Sequence, residues 1–463
     1  MRILLIRPAR PPKAITIGEF MFCEPLGLEA VYAVLREQEK HQVNILDMMA
    51  EQVDITQYLE KEQPEAVGIT ALCIDVGNVL ELARAVKRVD ASIPVVVGGT
   101  QAQLMPQAFA DPAIDFVMHW TTRANLHALF DGLARSGRKT EKNFCSSEDI
   151  PGVIAVRKGI PAKLCLQKNE YLVPDRSSCA QYREQYSYFG YKPCALLQTS
   201  HGCSKCCSFC LRWRLEGGKE TPQDMEVIFA QIREITEPSI MIIDNDFLCD
   251  SDQLDQLCIF LGREKIRKNF LCYGSVHSIL QNQKSIERFA SLGLKAVLVG
   301  YESFKPQELA DYHKKATVEE NLVAATLLKK WGVDAWASFI FHPDWDHGDF
   351  KAFRRYIRQL RPEISSLSPL TPFPGLPAFQ EYRERLLFDL QDYERWSFGN
   401  ISIHPSKMGL RAYHAEVLWT NLQVNFFMNN ACYLVRRFGF FTLFRLTAGG
   451  LRLAIRYLIA LCR

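Results

Sequence analysis

Short apolar runs alternate with amphipathic stretches along most of this chain, and the same alternation occurs twice. In residues 1–134 the strand-length runs are Ile3–Ile6, Val43–Leu46, Ala66–Thr70, Val95–Val97 and Phe116–Met118. Between them Gly27–Glu37, Asp54–Glu62 and Val76–Val89 carry apolar residues at helical spacing. Nearly continuous apolar strands separated by helices predict an α/β fold with a doubly wound, Rossmann-like parallel sheet, which binds ligands at the carboxyl ends of its strands. Two such ends, Thr70-Ala-Leu72-Cys and Gly98-Gly99-Thr, are candidate cradles, because glycine lets a backbone approach a ligand closely. A Gly-Gly pair after a strand is just as often a plain turn.

Residues 135–193 break the rhythm. Pro151-Gly152, Pro161 and Pro174 punctuate short strand-like pieces, which predicts a linker, with a small hairpin at most and no chemistry. Over 194–390 the alternation resumes in Ala195–Thr199, Ile240–Ile243, Asn269–Gly274, Ala296–Val299, Trp336–Phe341 and Ser365–Leu370. Six strand–helix units predict a partial (β/α)6 barrel of the TIM type, with functional residues at the strands' carboxyl ends. Residues 391–463 read as helical and apolar. There Arg445, Arg452, Arg456 and Arg463 share one helical face, while Phe444, Leu451, Ile455, Leu458 and Ile459 lie mostly elsewhere. Such a helix either packs its apolar side on the barrel or lies in a membrane interface, which makes peripheral membrane contact the second expectation. Gly449-Gly450 argues against one continuous helix.

The candidate chemistry sits directly after the first barrel strand. Cys203, Cys207 and Cys210 form C-x3-C-x2-C, with Phe209 just before the last cysteine. Three close thiolates can hold three irons of a [4Fe–4S] cube and leave the fourth open, since clusters need soft sulfur ligands and usually take four. Cys206 also creates two abutting C-x2-C pairs, but structural zinc separates such pairs by roughly 12–20 residues. Cys206 is therefore read as a bystander.

Composition narrows the setting. The chain has 463 residues, 48% hydrophobic and 23% charged, enough for two to four globular domains. A net charge of +3 gives no strong pull toward nucleic acid, so no such partner is expected. Fifteen cysteines without an apolar leader predict a reducing, cytoplasmic setting, in which an oxygen-sensitive cluster survives. No uncharged stretch is long enough to span a bilayer.

These motifs together resemble the cobalamin-dependent (class B) radical S-adenosylmethionine (SAM) methylases, with likeness to the hopanoid C-3 methylases among them. The resemblance rests on Glu24-Pro-Leu-Gly-Leu-Glu29 and on Thr199-Ser-His-Gly-Cys203 through Gly218. It continues in Val299-Gly-Tyr-Glu-Ser303, Ala337–Asp344 and Leu370–Pro377. It implies that Cys203, Cys207 and Cys210 ligate the cluster, and that Asp244, Asp246, Glu302 and Phe209 lie at SAM. It also implies cobalamin in the first domain, near Thr70, Leu72, Gly98 and Gly99. The sequence departs from the cobalamin pattern in having no Asp-x-His-x-x-Gly, and His119 stands as an isolated candidate ligand. Tyr273, His277, Tyr301 and His342 are candidates to line the substrate space.

The resemblance implies an enzyme that methylates an unactivated carbon of a hydrophobic, lipid- or terpenoid-like small molecule through a 5′-deoxyadenosyl radical. Its electron would come from a reductase or a flavodoxin- or ferredoxin-type donor. A non-methylating radical reaction, cyclisation or rearrangement, has the same sequence features. A non-catalytic cluster- or cobalamin-binding regulator is the third class.

Overall fold

In the computed structural model, residues 1–11, 21–136, 150–162, 164–428 and 431–462 are described. The first half is a six-stranded sheet in the order Gln42–Asp47, Arg2–Arg7, Ala66–Thr70, Val95–Gly98, Phe116–Met118 and Val153–Ala155. The first five are parallel and the last is antiparallel. Alternation within each strand feeds two cores. Leu4, Ile6, Val67, Ile69, Val95 and Val97 pack on one face, and Ile3, Leu5, Val43, Ile45, Ala66 and Val96 on the other. A parallel sheet covered on both sides needs these near-continuous apolar runs. Helix Ile55–Glu62 starts where Asp54 accepts from the N–H groups of Thr56 and Gln57 at 2.9 and 3.2 Å, satisfying donors that a helix start leaves open. Helix Val76–Val89 buries Val79, Leu82, Ala83 and Val86, one face at 3.6-residue period.

The second half is a six-stranded, all-parallel sheet: Cys194–Leu197, Ser239–Ile242, Asn269–Gly274, Leu294–Glu302, Asp334–Phe341 and Ile364–Pro369 in sequential order. The two end strands do not pair with each other, so the barrel is partial. Its inner face carries Leu196, Met241, Leu271, Tyr273, Ala296, Leu298 and Trp336. Its outer face packs Ile240, Cys272, Val297, Tyr301 and Phe339 against the surrounding helices. Tyr301 therefore belongs to the sheet–helix core and is no candidate for substrate lining. Strand alternation sends Glu302 inward and Tyr301 outward.

Residues 135–193 do more than link. Val153–Ala155 extends the first sheet, and Ser187–Tyr188 pairs with Met21–Phe22. Arg183 pairs with Glu24 at 2.6 Å, with Glu29 at 3.3 Å and with Glu237, tying the first half to the turn before the second barrel strand. Two expectations for the tail are corrected. Residues 391–409 are largely irregular, and helices begin at Leu410. The break falls at Gly439, at φ +81°, between Ala431–Phe438 and Phe440–Cys462, while Gly449-Gly450 lies inside the last helix. The side chains of Arg445, Arg456 and Arg463 lie outside what is described.

Candidate functional site

The cysteine loop leaves the first barrel strand through a turn that only glycine permits. Gly202 has φ +87°, and a Cβ there would lie 2.0 Å from the Lys219 carbonyl oxygen. Cys203 N–H then donates to Gly217 O at 3.0 Å, Cys210 N–H to Cys207 O at 3.2 Å, and Trp213 Nε1 to Cys207 O at 3.0 Å. The three candidate ligands are all free thiols. Burial raises the pKa of all three, that of Cys207 to about 11. The charges of Cys203 and Cys210 both act on Cys207, so the sulfurs lie within electrostatic reach of one another. Cys206 sits apart at φ +49°, its sulfur 3.8 Å from where a Gly218 Cβ would stand.

Among the described residues no three His, Cys, Asp or Glu side chains stand in single-ion geometry. A cubane spreads its ligands over separate irons, so three free thiols in one short loop, sharing one electrostatic environment, fit it. Metal binding would draw off the thiol protons that burial now retains.

The carboxylates expected at SAM are engaged within the protein. Asp244, fully buried, accepts from Thr199 N–H at 2.6 Å, Thr199 Oγ1 at 2.5 Å and Ser200 Oγ at 2.7 Å. Burial outweighs these bonds and pushes its carboxyl up to about 6. Asp246 accepts from Ser275 N–H and Oγ, both at 2.9 Å, and from Ser278 Oγ at 2.7 Å. It also pairs with Lys205 of the cysteine loop at 2.7 Å. The two aspartates thus brace both stems of the loop. Asn245 between them donates to Gly202 O and to Glu216, each at 2.8 Å.

Glu302 lies beyond a register shift, at φ +62°, with Lys314 at 3.2 Å. Burial raises Glu302. Burial pulls Lys314 down, but the charge and hydrogen bond of Glu302 together with the charges of Cys207 and Asp246 leave it raised. Both charges act on Cys207 and Cys210. A small hollow of about 10 Å3 joins Cys207 to Lys205, Lys314 and His277. Phe209 stacks edge-on to Tyr312 at 5.3 Å. Of the substrate-lining candidates, Tyr273 meets Tyr188 hydroxyl to hydroxyl at 2.6 Å inside the barrel. His342 lies 3.2 Å from the Tyr382 hydroxyl.

A cavity of about 360 Å3 opens between the two sheets. Thr70, Leu72, Gly98 and Gly99 form part of one wall, at the carboxyl ends of the first sheet. Gly99 at φ +95° is obligatory, because a Cβ would fall 2.7 Å from Thr70 Oγ1 and 2.9 Å from the Ala71 backbone. Gln198, His201, Arg212, Leu215 and Glu216 face it from the barrel, and Tyr171 and Leu172 from the segment between the domains. The segment read as a linker without chemistry therefore walls the cavity. His119 does not. It is buried, with its ring nitrogens 3.4 and 3.3 Å from the Ala102 and Cys165 carbonyls. The one histidine on the described lining is His201, whose buried Nε2 has no hydrogen-bond partner. A cleft with a glycine floor and no first-domain histidine fits a cobalamin held without a protein ligand from that domain. Lys314 and Tyr171 went unnoticed in the sequence, since no local spacing marks them, and His201 stood inside the Thr199–Cys203 motif without a role of its own.

Residues 18–129 match the B12 binding domain, and residues 197–357 match the Radical SAM superfamily. The chain therefore joins a B12-binding domain to a radical SAM domain, and the cofactors of that pair are a [4Fe–4S] cluster, SAM and cobalamin. It is 26% identical over 407 residues to hopanoid C-3 methylase of Methylococcus capsulatus, covering 87% of this chain and 76% of that one. It is 23% identical over 402 residues to an anaerobic magnesium-protoporphyrin IX monomethyl ester cyclase of Rubrivivax gelatinosus, covering 84% and 71%. Its fold superposes on the radical SAM methyltransferase TsrM of Kitasatospora setae, solved with cobalamin and a [4Fe–4S] cluster. There the TM-score is 0.68 at 15% identity, covering 97% of this chain and 99% of that one.

Proposed function

We propose that this enzyme methylates an unactivated carbon of a hydrophobic, lipid- or terpenoid-like small molecule. One observation carries the reading. Helix Arg212–Glu216, which begins two residues after Cys210, supplies Arg212, Leu215 and Glu216 to the same cavity that Thr70, Leu72, Gly98 and Gly99 line. The helix that follows the cysteine loop and the first-sheet wall thus line one cavity, an arrangement that supports handing a methyl group to a carbon radical. When bound, the cluster with SAM supplies the 5′-deoxyadenosyl radical and cobalamin supplies the methyl group. The chain's own residues position and shield. Cys203, Cys207 and Cys210 would hold the cluster. Asp244 and Asp246 fix the loop that would carry it, Glu302 with Lys314 sets the charge beside Cys207 and Cys210, and Phe209, packed on Tyr312, would contribute to holding SAM. The apolar inner face of the barrel favours a hydrophobic guest over a charged one. Electrons would come from a flavodoxin- or ferredoxin-type donor, and peripheral contact with a membrane through the last helix belongs to the same reading.

Similarity to the cyclase keeps a second reading alive, a radical cyclisation or rearrangement without methyl transfer. Anaerobically reconstituted protein, given SAM, a reductant and candidate terpenoids, separates them. Both 5′-deoxyadenosine and S-adenosylhomocysteine are expected. Deoxyadenosine alone would favour the second reading, and neither product would overturn both.

A further inference from the structure

Among the described side chains of the last helix, Phe440–Cys462, fewer apolar ones turn toward the protein than away from it. Ala454 and Tyr457 are buried, and the Tyr457 hydroxyl donates to Gly399 O at 2.6 Å. Phe441, Phe444, Leu451, Ile455, Leu458 and Ile459 are exposed, Phe441 at 84% and Phe444 at 66%. Spacings of three, four and seven place them on one stripe of the helix. Among its described side chains, Ala454 and Tyr457 meet the expectation that this helix packs its apolar side on the barrel, and the exposed stripe does not. A contiguous stripe of this size marks a surface that meets something else.

Charge says what. From Gln423 to the last residue the sequence has six arginines (Arg436, Arg437, Arg445, Arg452, Arg456 and Arg463) and no Asp or Glu. Arg437 is paired with Asp334 at 3.1 Å, yet the tail keeps its excess of positive charge, and a second copy of the chain would bring like charge against like. Anionic headgroups complement that excess, and acyl chains accept the phenylalanines. Among the described residues no helix is long and apolar enough to cross a membrane, so the mode is lying in the interface.

We infer that Phe440–Cys462 docks this protein on an anionic lipid bilayer, its exposed apolar stripe in the headgroup–acyl boundary and the positive charge of the tail matched by acidic phosphates. This deepens the membrane part of the proposed function. It stands apart from the chemistry, because vesicle binding is read without SAM or substrate. Failure here leaves the radical assay untouched, and the reverse also holds.

The test is flotation of full-length, reconstituted protein with two kinds of vesicle, phosphatidylcholine alone and phosphatidylcholine mixed with phosphatidylglycerol. Binding to the mixed vesicles is expected to be at least about tenfold tighter and to weaken with salt. Phe441→Glu with Phe444→Glu, both at exposed positions, should lower it by at least about tenfold with melting unchanged. Arg436→Gln with Arg452→Gln, which spares the stripe, should lower binding to the mixed vesicles alone. Equal binding to both vesicle types, no binding, or binding indifferent to both double variants would overturn the inference. So would a protein dimer dispersed by the Phe441/Phe444 variant without any vesicle binding.

Discussion

Arg183 tests how the two halves are held together. Its guanidinium lies 2.6 Å from Glu24 and 3.3 Å from Glu29 of the first half, and it also pairs with Glu237 ahead of the second barrel strand. Arg183→Met keeps most of the side chain's apolar volume and removes the charge. Breaking a buried ion pair from one side costs about 3–5 kcal/mol, because the remaining charge is left uncompensated. The three carboxylates are cushioned. Burial, with the neighbouring Glu24 charge adding to it, pushes Glu29 up to about 9, so at neutral pH it holds a proton. Glu24 retains Arg176 at 3.7 Å and the Leu196 N–H. Glu237 keeps the nearby Lys268, whose ammonium donates to its carbonyl at 2.7 Å and feels its charge, so the lower end, about 3 kcal/mol, is expected. Urea unfolding at neutral pH measures it, and adding Glu237→Gln should return roughly half. A loss below about 1 kcal/mol, or no recovery in the double variant, would refute the reasoning. The sign with pH follows from the raised Glu29. Its contribution is full below the ordinary 4.5 and is lost as pH rises toward 9.

Alanine at Cys203, Cys207 or Cys210 should abolish the iron–sulfur absorbance of reconstituted protein, while Cys206→Ala should keep it; a cluster that survives Cys207→Ala removes the ligand assignment. Gly99→Ala should cost about 1–3 kcal/mol, from the left-handed φ and the collision with Thr70, and should weaken cobalamin retention on gel filtration. Unchanged retention would move the cofactor away from this wall. The folded-state pKa of Asp244, raised to about 6, should stabilise the fold as pH falls from about 6 toward 4, by up to about 3 kcal/mol. Asp244→Asn should flatten that slope, and parallel curves for the two proteins would contradict it.

Much of the scaffold could be read from the sequence because each strand carries its own signature. Ala66–Thr70, Val76–Val89 and Asn269–Gly274 have the same bounds in pattern and in structure, since unbroken apolar runs and a clean 3.6-residue face leave no competing register. The cysteine spacing announced itself for a similar reason, being wholly local. What escaped was long-range. Asp244 was visible as a strand-end carboxylate, but Thr199 and Ser200, which occupy it, lie 45 and 44 residues away. Tyr301 was misplaced by one position of strand alternation. Tyr171 came to the cavity from a stretch whose prolines masked its role. His119 looked available at a strand end, and tertiary packing closed it in.

The interdomain cavity has a consequence for anyone who would graft this protein. No fragment contains it whole: its floor is cut from the first sheet, its roof from the segment after the cysteines, and one side from the chain between. A chimera that borrows a foreign amino-terminal half inherits a surface matched to other neighbours. Without acidic counterparts to Glu24 and Glu29 for Arg183, the recipient's halves would sit askew, however faithfully each one folds.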